Sequence, residues 1–221
     1  MSDTRTGPTL EASWRDRAVE RSLRTAREKA VSRSDLFIAT AVAILSETGR
    51  TDFTVQELVE RARTSLRSFY QHFSSKDELL LALCEEIIAF AATTWRGEIA
   101  ELDSVSALRV LVDNIHGHAV PENAVGITQA VSSYHLQLAG VRPAEHARIL
   151  LPLRDVILEV VQRGVGEGVV RTDIDAESLA TMVMQTLVGA AHMRALRAQL
   201  TSTPLESERL WQFCVGALTQ R

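Results

Sequence analysis

Apolar residues along this chain recur three and four positions apart through most of its length, which is helical spacing. Between Ser34 and Thr48, the residues Ile38, Ala41, Val42 and Leu45 form one buried stripe, and Gly49 follows as a C-terminal terminator. Val55, Leu58, Val59 and Ala62 give a second, shorter stripe, and Phe69 and Phe73, four apart, anchor a third. Leu79, Leu80, Leu83, Ile87, Phe90 and Ala91 place a longer apolar face on a helix from Lys76 to about Ala100. Alternation with period two, the signature of a half-buried strand, is scarce. The pattern predicts an all-α fold.

Polar residues mark where these helices begin. Thr54 with Glu57, and Ser75 with Glu78, have the spacing of capping boxes, and Ser65 caps the short helix that carries Phe69. Further on, Ser104 opens a helix to about His118, and Pro121 opens another that ends near Gly140. Pro143 begins a third, to Arg163, in which Pro152 is expected to kink or divide the helix. Gly164, Gly166 and Gly168 follow a helix rather than a strand, so they read as a helix-ending turn and not a phosphate loop. Asp175 caps a helix from Ala176 to about Gln199, with Leu179, Met182, Val183, Thr186, Leu187 and Ala190 on one side. Thr203, Pro204 and Glu206 supply a cap, a first-turn proline and a capping acid for a last helix that presents Leu210, Phe213, Cys214, Ala217 and Leu218.

Two short helices joined by a tight turn, the second starting with small, polar and basic residues, suit a helix-turn-helix that reads DNA. Residues 36–82 resemble the DNA-binding region of the TetR family of transcriptional regulators. The resemblance rests on the apolar helix ending in Gly49, the Thr54 start, the Ala62 turn, Ser65, and the run Phe69-Tyr70-Gln71-His72-Phe73 followed by Ser75-Lys76. One position departs from the family, which commonly has Gly after the alanine of the turn where this chain has Arg63. A non-glycine residue at positive φ costs on the order of 1 kcal/mol. The resemblance implies an N-terminal three-helix DNA-binding domain with a helix-turn-helix, and a C-terminal helical ligand-binding and dimerisation domain. The expected divisions are a basic extension at 1–33, the helix-turn-helix domain at 34–78, and the effector-binding and dimerisation domain at 79–221.

Charge complicates the picture. The chain of 221 residues has a formal net charge of −4, with 46% hydrophobic and 24% charged residues. Residues 1–33 have eight bases against five acids, whereas residues 34–78 have five bases against seven acids. The motif is therefore not basic, and dimerisation and the leader are expected to supply the missing phosphate affinity. From Glu11 to Arg33 the leader favours helix, with Trp14, Val19 and Leu23 near helical spacing; it reads either as a solvated helix or as a basic arm along DNA. The polar first ten residues, with Asp3, Arg5 and Pro8, predict no secretory signal. No apolar run reaches the roughly 18 residues that span a bilayer, since Glu85 and Glu86 break the best candidate. Cys84 and Cys214 stand alone without metal-ligand spacing, and read as buried thiols in a reducing cytoplasm. No membrane partner is expected.

Leu66, Arg67, Tyr70 and Gln71 share one helical surface opposite Phe69 and Phe73, and the turn at Ser65 would enter the major groove. Arg67 matches guanine O6 and N7, Leu66 suits a thymine methyl, and Ser68 suits a base or a phosphate. The resemblance implies phosphate contacts for Tyr70, His72 and Lys76, and for Thr54 from the preceding helix. It also implies an effector cavity, for which Phe90, Trp95, Leu111, Ile115, Tyr134, Met182 and Gln185 are the candidates. Such an apolar lining favours a small hydrophobic effector. No enzyme signature, cofactor or metal site is expected: His116 and His118 diverge on a helix, and His135, His146 and His192 read as separate polar groups. The resemblance thus implies a ligand-responsive regulator, most simply a repressor, that is a homodimer through its last two helices and is released from a double-stranded DNA operator by its effector. The alternative is a helical ligand-binding or interaction module without DNA binding, favoured by Arg63 and by the acidic balance of the motif.

Overall fold

A single helix, α1, runs from Trp14 to Thr48 in the computed structural model, which describes residues 14–117, 122–198 and 205–219. The sequence pattern predicts a first helix starting near Ser34 after a separate leader. No glycine or proline interrupts residues 14–48, and Ser34 is followed three positions on by Phe37 rather than by a capping acid, so nothing stops the helix there. After α1 come α2 (Val55–Arg61), α3 (Leu66–Tyr70), α4 (Lys76–Glu98) and α5 (Ser104–Val112), which continues into a π-helical turn, Asp113–Gly117. Then follow α6 (Glu122–Val141), α7 (Pro143–Gly166), α8 (Ala176–Ala195) and α9 (Ser207–Leu218). Among the described residues every regular element is helical, and the one extended pairing is an isolated antiparallel bridge between Val170 and Thr219. The expected signals at Gly7-Pro8, His118, Pro121, Gln199 and Thr203-Pro204 lie outside the described residues.

Two differences from the expected boundaries have local causes. α7 passes through Pro152 without dividing, its flanks held by buried Ile149, Leu150, Leu153 and Val156. α8 ends at Ala195, before Gln199, because Arg197 turns left-handed at φ 55°. Of the glycines expected to form a helix-ending turn, Gly164 and Gly166 belong to the last turn of α7, and only Gly168 lies in the turn itself, at φ 73° after the Glu167 C-cap.

The apolar stripes pack into two cores. One joins Phe37, Ala41 and Leu45 of α1 to Leu58 and Val59 of α2, Phe69 of α3 and Phe73. It then continues through Leu79, Leu80 and Leu83 of α4 to Ala130, Tyr134 and Leu138 of α6 and Ile149 of α7. The other lies further along α4 and joins Ala92 and Ile99 to α5, the later turns of α7, α8 and α9. The position expected to divide the DNA-binding half from the rest, residue 78, therefore falls inside a shared core. Where α6 crosses the end of α1, Gly126 meets the backbone directly, and a Cβ there would stand 2.2 Å from the carbonyl oxygen of Ser46.

Gly126→Ala should destabilise the fold by about 1–3 kcal/mol, because a methyl group would push against backbone rather than a movable side chain. Gly140→Ala, on the same helix but facing open space, should be neutral or gain up to about 1 kcal/mol. Urea denaturation of both variants checks the contrast, and equal midpoints would refute the close crossing.

Candidate nucleic-acid interface

The helix pair α2–α3 is set by its caps and its turn. Thr54 and Glu57 form the expected capping box: the Glu57 backbone N–H donates to Thr54 Oγ1 at 3.1 Å, and the Thr54 N–H donates to the Glu57 carboxylate at 2.6 Å. These bonds from Thr54 hold the Glu57 carboxyl below the usual range. At the other end of α2, Arg63 adopts φ 51°, the left-handed conformation that favours glycine. The Thr64 N–H then reaches the Val59 carbonyl at 2.9 Å and the Arg63 N–H reaches Glu60 at 3.1 Å, a Schellman closure. The turn keeps its form despite the arginine.

α3 has only five residues, so its orientation comes from its anchors. Ser65 Oγ accepts the Ser68 N–H at 3.2 Å. Phe69 and Phe73 pack edge-on against Phe37 of α1, with ring centroids 5.4 and 6.3 Å apart. That burial leaves Leu66, Arg67, Tyr70 and Gln71 exposed together, with Ser65 and Thr54 exposed beside them. Arg67 has no carboxylate within ion-pairing distance among the described residues, whereas Arg61 pairs with Glu47 at 2.6 Å.

Three candidates occupy other surroundings. Ser68 is only 6% exposed and turns toward α1, where its hydroxyl accepts from Arg33 Nη1 at 3.0 Å. It lies on the Phe69 side of the helix, which is the side that must bury. His72 is half-buried, tilted against Phe37, with Nδ1 3.5 Å from Ser34 Oγ. Lys76 donates from Nζ to the carbonyls of Thr51 and Phe53, both at 2.9 Å, and lies over the Phe53 ring. It therefore ties down the segment leading into α2. Ser75 caps Glu78 as expected at 3.1 Å, but the Glu78 carboxylate reaches Ser74 instead of completing the box at Ser75.

The effector candidates do not gather round one cavity. Leu111 and Tyr134 are buried, in different cores, and Trp95 and Ile115 pack partly buried against the C-terminal one. Tyr134 donates its hydroxyl to the Asp77 carbonyl at 3.1 Å, in the first turn of α4. Phe90 is 73% exposed and Met182 54% exposed. Phe90 was expected to face the core, but the buried line of α4 runs through Cys84, Ile88, Ala92, Trp95 and Ile99, which leaves Phe90 outside it. Ile115 borders a groove of about 340 Å³ between the π-helical turn, α6 and α8, and Gln185 borders another of about 440 Å³ between α6, α7 and α8.

Beside the second groove, three histidines that are far apart in the sequence meet. The His135 ring centroid lies 5.4 Å from that of His146 and 5.9 Å from that of His192. Burial, with small contributions from the two neighbouring rings, pushes His135 down to about 4, and burial also lowers His146 and His192. No sequence spacing signals this meeting, since the three residues come from three helices. Among the described residues, no group of three His, Cys, Asp or Glu side chains is arranged to hold a metal ion. Cys84 and Cys214 are buried, and burial pushes their thiols up to about 12 and about 11, so both stay protonated. No described helix is long and apolar enough to cross a membrane.

Residues 37–83 match the family model described as bacterial regulatory proteins, tetR family. No curated protein matches the chain. Among solved structures, FadR from Bacillus subtilis in complex with stearoyl-CoA superposes with a TM-score of 0.66 at 15% identity, over 83% of this chain and 98% of that one. A TetR-family regulator from Rhodococcus sp. gives 0.63 at 17% identity, over 84% and 95%. RolR in complex with resorcinol gives 0.63 at 17% identity, over 87% and 90%. At these identities the likeness is one of fold.

Arg63→Gly should leave stability unchanged or raise it by up to about 1 kcal/mol, since relief of the left-handed strain outweighs the added freedom of the unfolded chain. Arg63→Val should lower it by at least as much, and thermal melts of the two variants decide the sign. Stability should also depend on acid. His135 stays neutral in the fold while its unfolded ring titrates near 6.5, so below that pH the unfolded chain binds more protons. Its contribution is complete above pH 6.5 and is lost as pH falls toward 4, a loss of about 2 kcal/mol between pH 7 and pH 5. Urea titrations at the two pH values should show this dependence partly flattened in His135→Gln, with His146 and His192 supplying the remainder.

Proposed function

We infer that this chain, which belongs to the tetR family of bacterial regulatory proteins through its N-terminal domain, is a ligand-responsive DNA-binding transcriptional regulator, and that it acts as a repressor. The carrying observation is the exposed face of Leu66, Arg67, Tyr70 and Gln71 on a helix capped by Ser65 and clamped from behind by Phe69. With α3 in the major groove, Arg67 reads a guanine and Leu66 a thymine methyl. Thr54, Tyr70 and Gln71 hold the backbone around them, and phosphate contacts of that kind set register without encoding sequence. His72 and Lys76 act mainly by fixing α1 and the 51–53 segment to the motif, with phosphate contact as a second duty. On this reading, residues 34–78 read DNA, residues 79–221 sense and dimerise, and the leader adds positive charge as a continuation of α1.

Pairing through α8 and α9 fits their outer faces. Met182, Gly189 and Met193 on α8 and Phe213, Gly216 and Ala217 on α9 are exposed, with Phe213 at 63%. Small and large apolar residues at helical spacing suit a two-fold interface with a second copy. Such a dimer places two copies of α3 on half-sites about 34–36 Å apart, so a modest splay prevents both from docking. The lever for that splay is Asp77. Tyr134 of α6 bonds its carbonyl, and Arg142, between α6 and α7, bonds its carboxylate at 2.7 Å. An effector that displaces α6 or α7 moves the start of α4, directly behind α3. It must favour the DNA-incompetent state to shift the equilibrium. FadR and RolR carry ligands in their own structures, which supports the same class of response here. A cytoplasmic location goes with this role.

The acidic balance of residues 34–78 favours the second reading, a helical module that no longer binds DNA. The intact turn at Arg63 and the unpaired Arg67 weigh against it.

Fluorescence anisotropy with DNA fragments from upstream of the chain's own gene tests the proposal. The wild type should bind one fragment with a salt-dependent affinity. Arg67→Ala should relax discrimination at one base pair per half-site by about 1–3 kcal/mol, whereas Tyr70→Phe should weaken all sequences alike. A folded dimer that binds no fragment even at low salt would overturn the regulatory reading.

A further inference from the structure

The groove between α6, α7 and α8 has apolar walls and an unusual polar feature. Leu136, Leu150, Leu151 and Met184 supply much of its surface, and no carboxylate side chain lines it. His146 of α7 and His192 of α8 both line it, and His135 of α6 lies against both rings. His135 is 2% exposed, and neither of its ring nitrogens is hydrogen-bonded to another protein atom. A buried polar group left unpaired costs about 1–3 kcal/mol, and here one adjoins two further imidazoles at the edge of an open groove. That arrangement calls for a ligand.

The chemistry of the lining narrows the ligand's class. The groove, at about 440 Å³, has the size of a small-molecule site. The titratable groups facing His135 are His146 from α7 and His192 from α8, and Arg154 at the rim is paired with Asp155 at 2.7 Å. No carboxylate in the lining competes with an incoming anion. A neutral hydroxyl would occupy only one donor and one acceptor. An anionic head can use donors from more than one ring, and one imidazole can take up a proton from solvent to match its charge. Because the rings are not arranged to hold a metal ion, an organic head is the better occupant.

We propose that the three-histidine groove binds the effector, and that this effector is an apolar molecule ending in a carboxylate, with its head at His146 and His192 and its tail along Leu136, Leu150 and Leu151. This deepens the ligand-responsive reading and rests on it. The route to DNA is short. His135 adjoins Tyr134 in α6, and Tyr134 bonds Asp77 at the start of α4. A head group drawn against the histidines therefore acts on α6 one residue away from its link to the DNA-reading half. Gln185 and Gly189 border the groove and also lie on the exposed stripe of α8, so the occupant sits at the edge of the proposed dimer face.

Isothermal titration of the full chain with decanoate, myristate, salicylate and indole-3-acetate tests the site, with 1-decanol as an uncharged control. At least one acid should bind. His146→Gln and His192→Gln should each weaken it by about tenfold or more, and the double variant further still. Titration in phosphate and in Tris should report uptake of about one proton with the acid and none with decanol. Circular dichroism melts of each variant separate lost binding from lost folding. The proposal is overturned if no acid binds, if the folded double variant binds as tightly as wild type, or if stoichiometric Zn²⁺ or Ni²⁺ uptake blocks the acid. Operator binding measured on the same samples keeps the two ideas apart. Persistent DNA binding without acid binding removes only this site, and acid binding without DNA binding removes only the regulatory reading.

Discussion

The packing of Phe69 and Phe73 against Phe37 is the contact on which the proposed DNA-reading surface depends. A helix of five residues cannot sustain itself in water, because nucleation costs more than so few hydrogen bonds return. Burying each phenylalanine contributes about 1.5–3 kcal/mol, and the edge-on ring pairs and the Ser65 cap add about 1 kcal/mol each. Together these exceed the cost of about 1–2 kcal/mol for holding Arg63 in a left-handed conformation. The turn therefore tolerates an arginine where a glycine would be unstrained.

That aromatic contact does not end at the helix-turn-helix. Leu79, Leu80 and Leu83 extend the same core along α4, and Ala130, Tyr134 and Leu138 carry it into α6. Gly126 lets α6 approach α1 until backbone meets side-chain-free backbone, so no deformable layer separates the two elements. Close-packed interiors transmit displacement because they have little free volume to absorb it. The N-terminal and C-terminal halves share a core, and the bonds of Tyr134 and Arg142 to Asp77 tie the start of α4 to α6 and to the α6–α7 junction.

The C-terminal half has two apolar surfaces for which the proposed function offers uses. The outward residues of α8 and α9 form a face without a partner in the single chain. The groove between α6, α7 and α8 is lined by two imidazoles, His146 and His192, with the buried His135 packed against both. Both features lie on α8, where Gln185 and Gly189 belong to each. On the proposed reading, sensing, pairing and the lever at Asp77 lie along a continuous path through α8, α6 and α4.

Local signals in the sequence determined the helices and most of their starts. Thr54, Ser65 and Asp175 accept the backbone bonds that their spacing promised, and the outward face of α3 follows directly from Phe69 and Phe73 needing to turn in. These features depend on residues within one or two helical turns, which a linear pattern records. What depends on distant partners was not legible. The partner of Ser68, Arg33, comes from α1, Lys76 was engaged by carbonyls of another segment, and Phe90 was left outside because α4 passes between two cores. The meeting of His135, His146 and His192 is of the same kind. It exists only because α6, α7 and α8 pack together, and no spacing along the chain encodes the angle at which three helices cross.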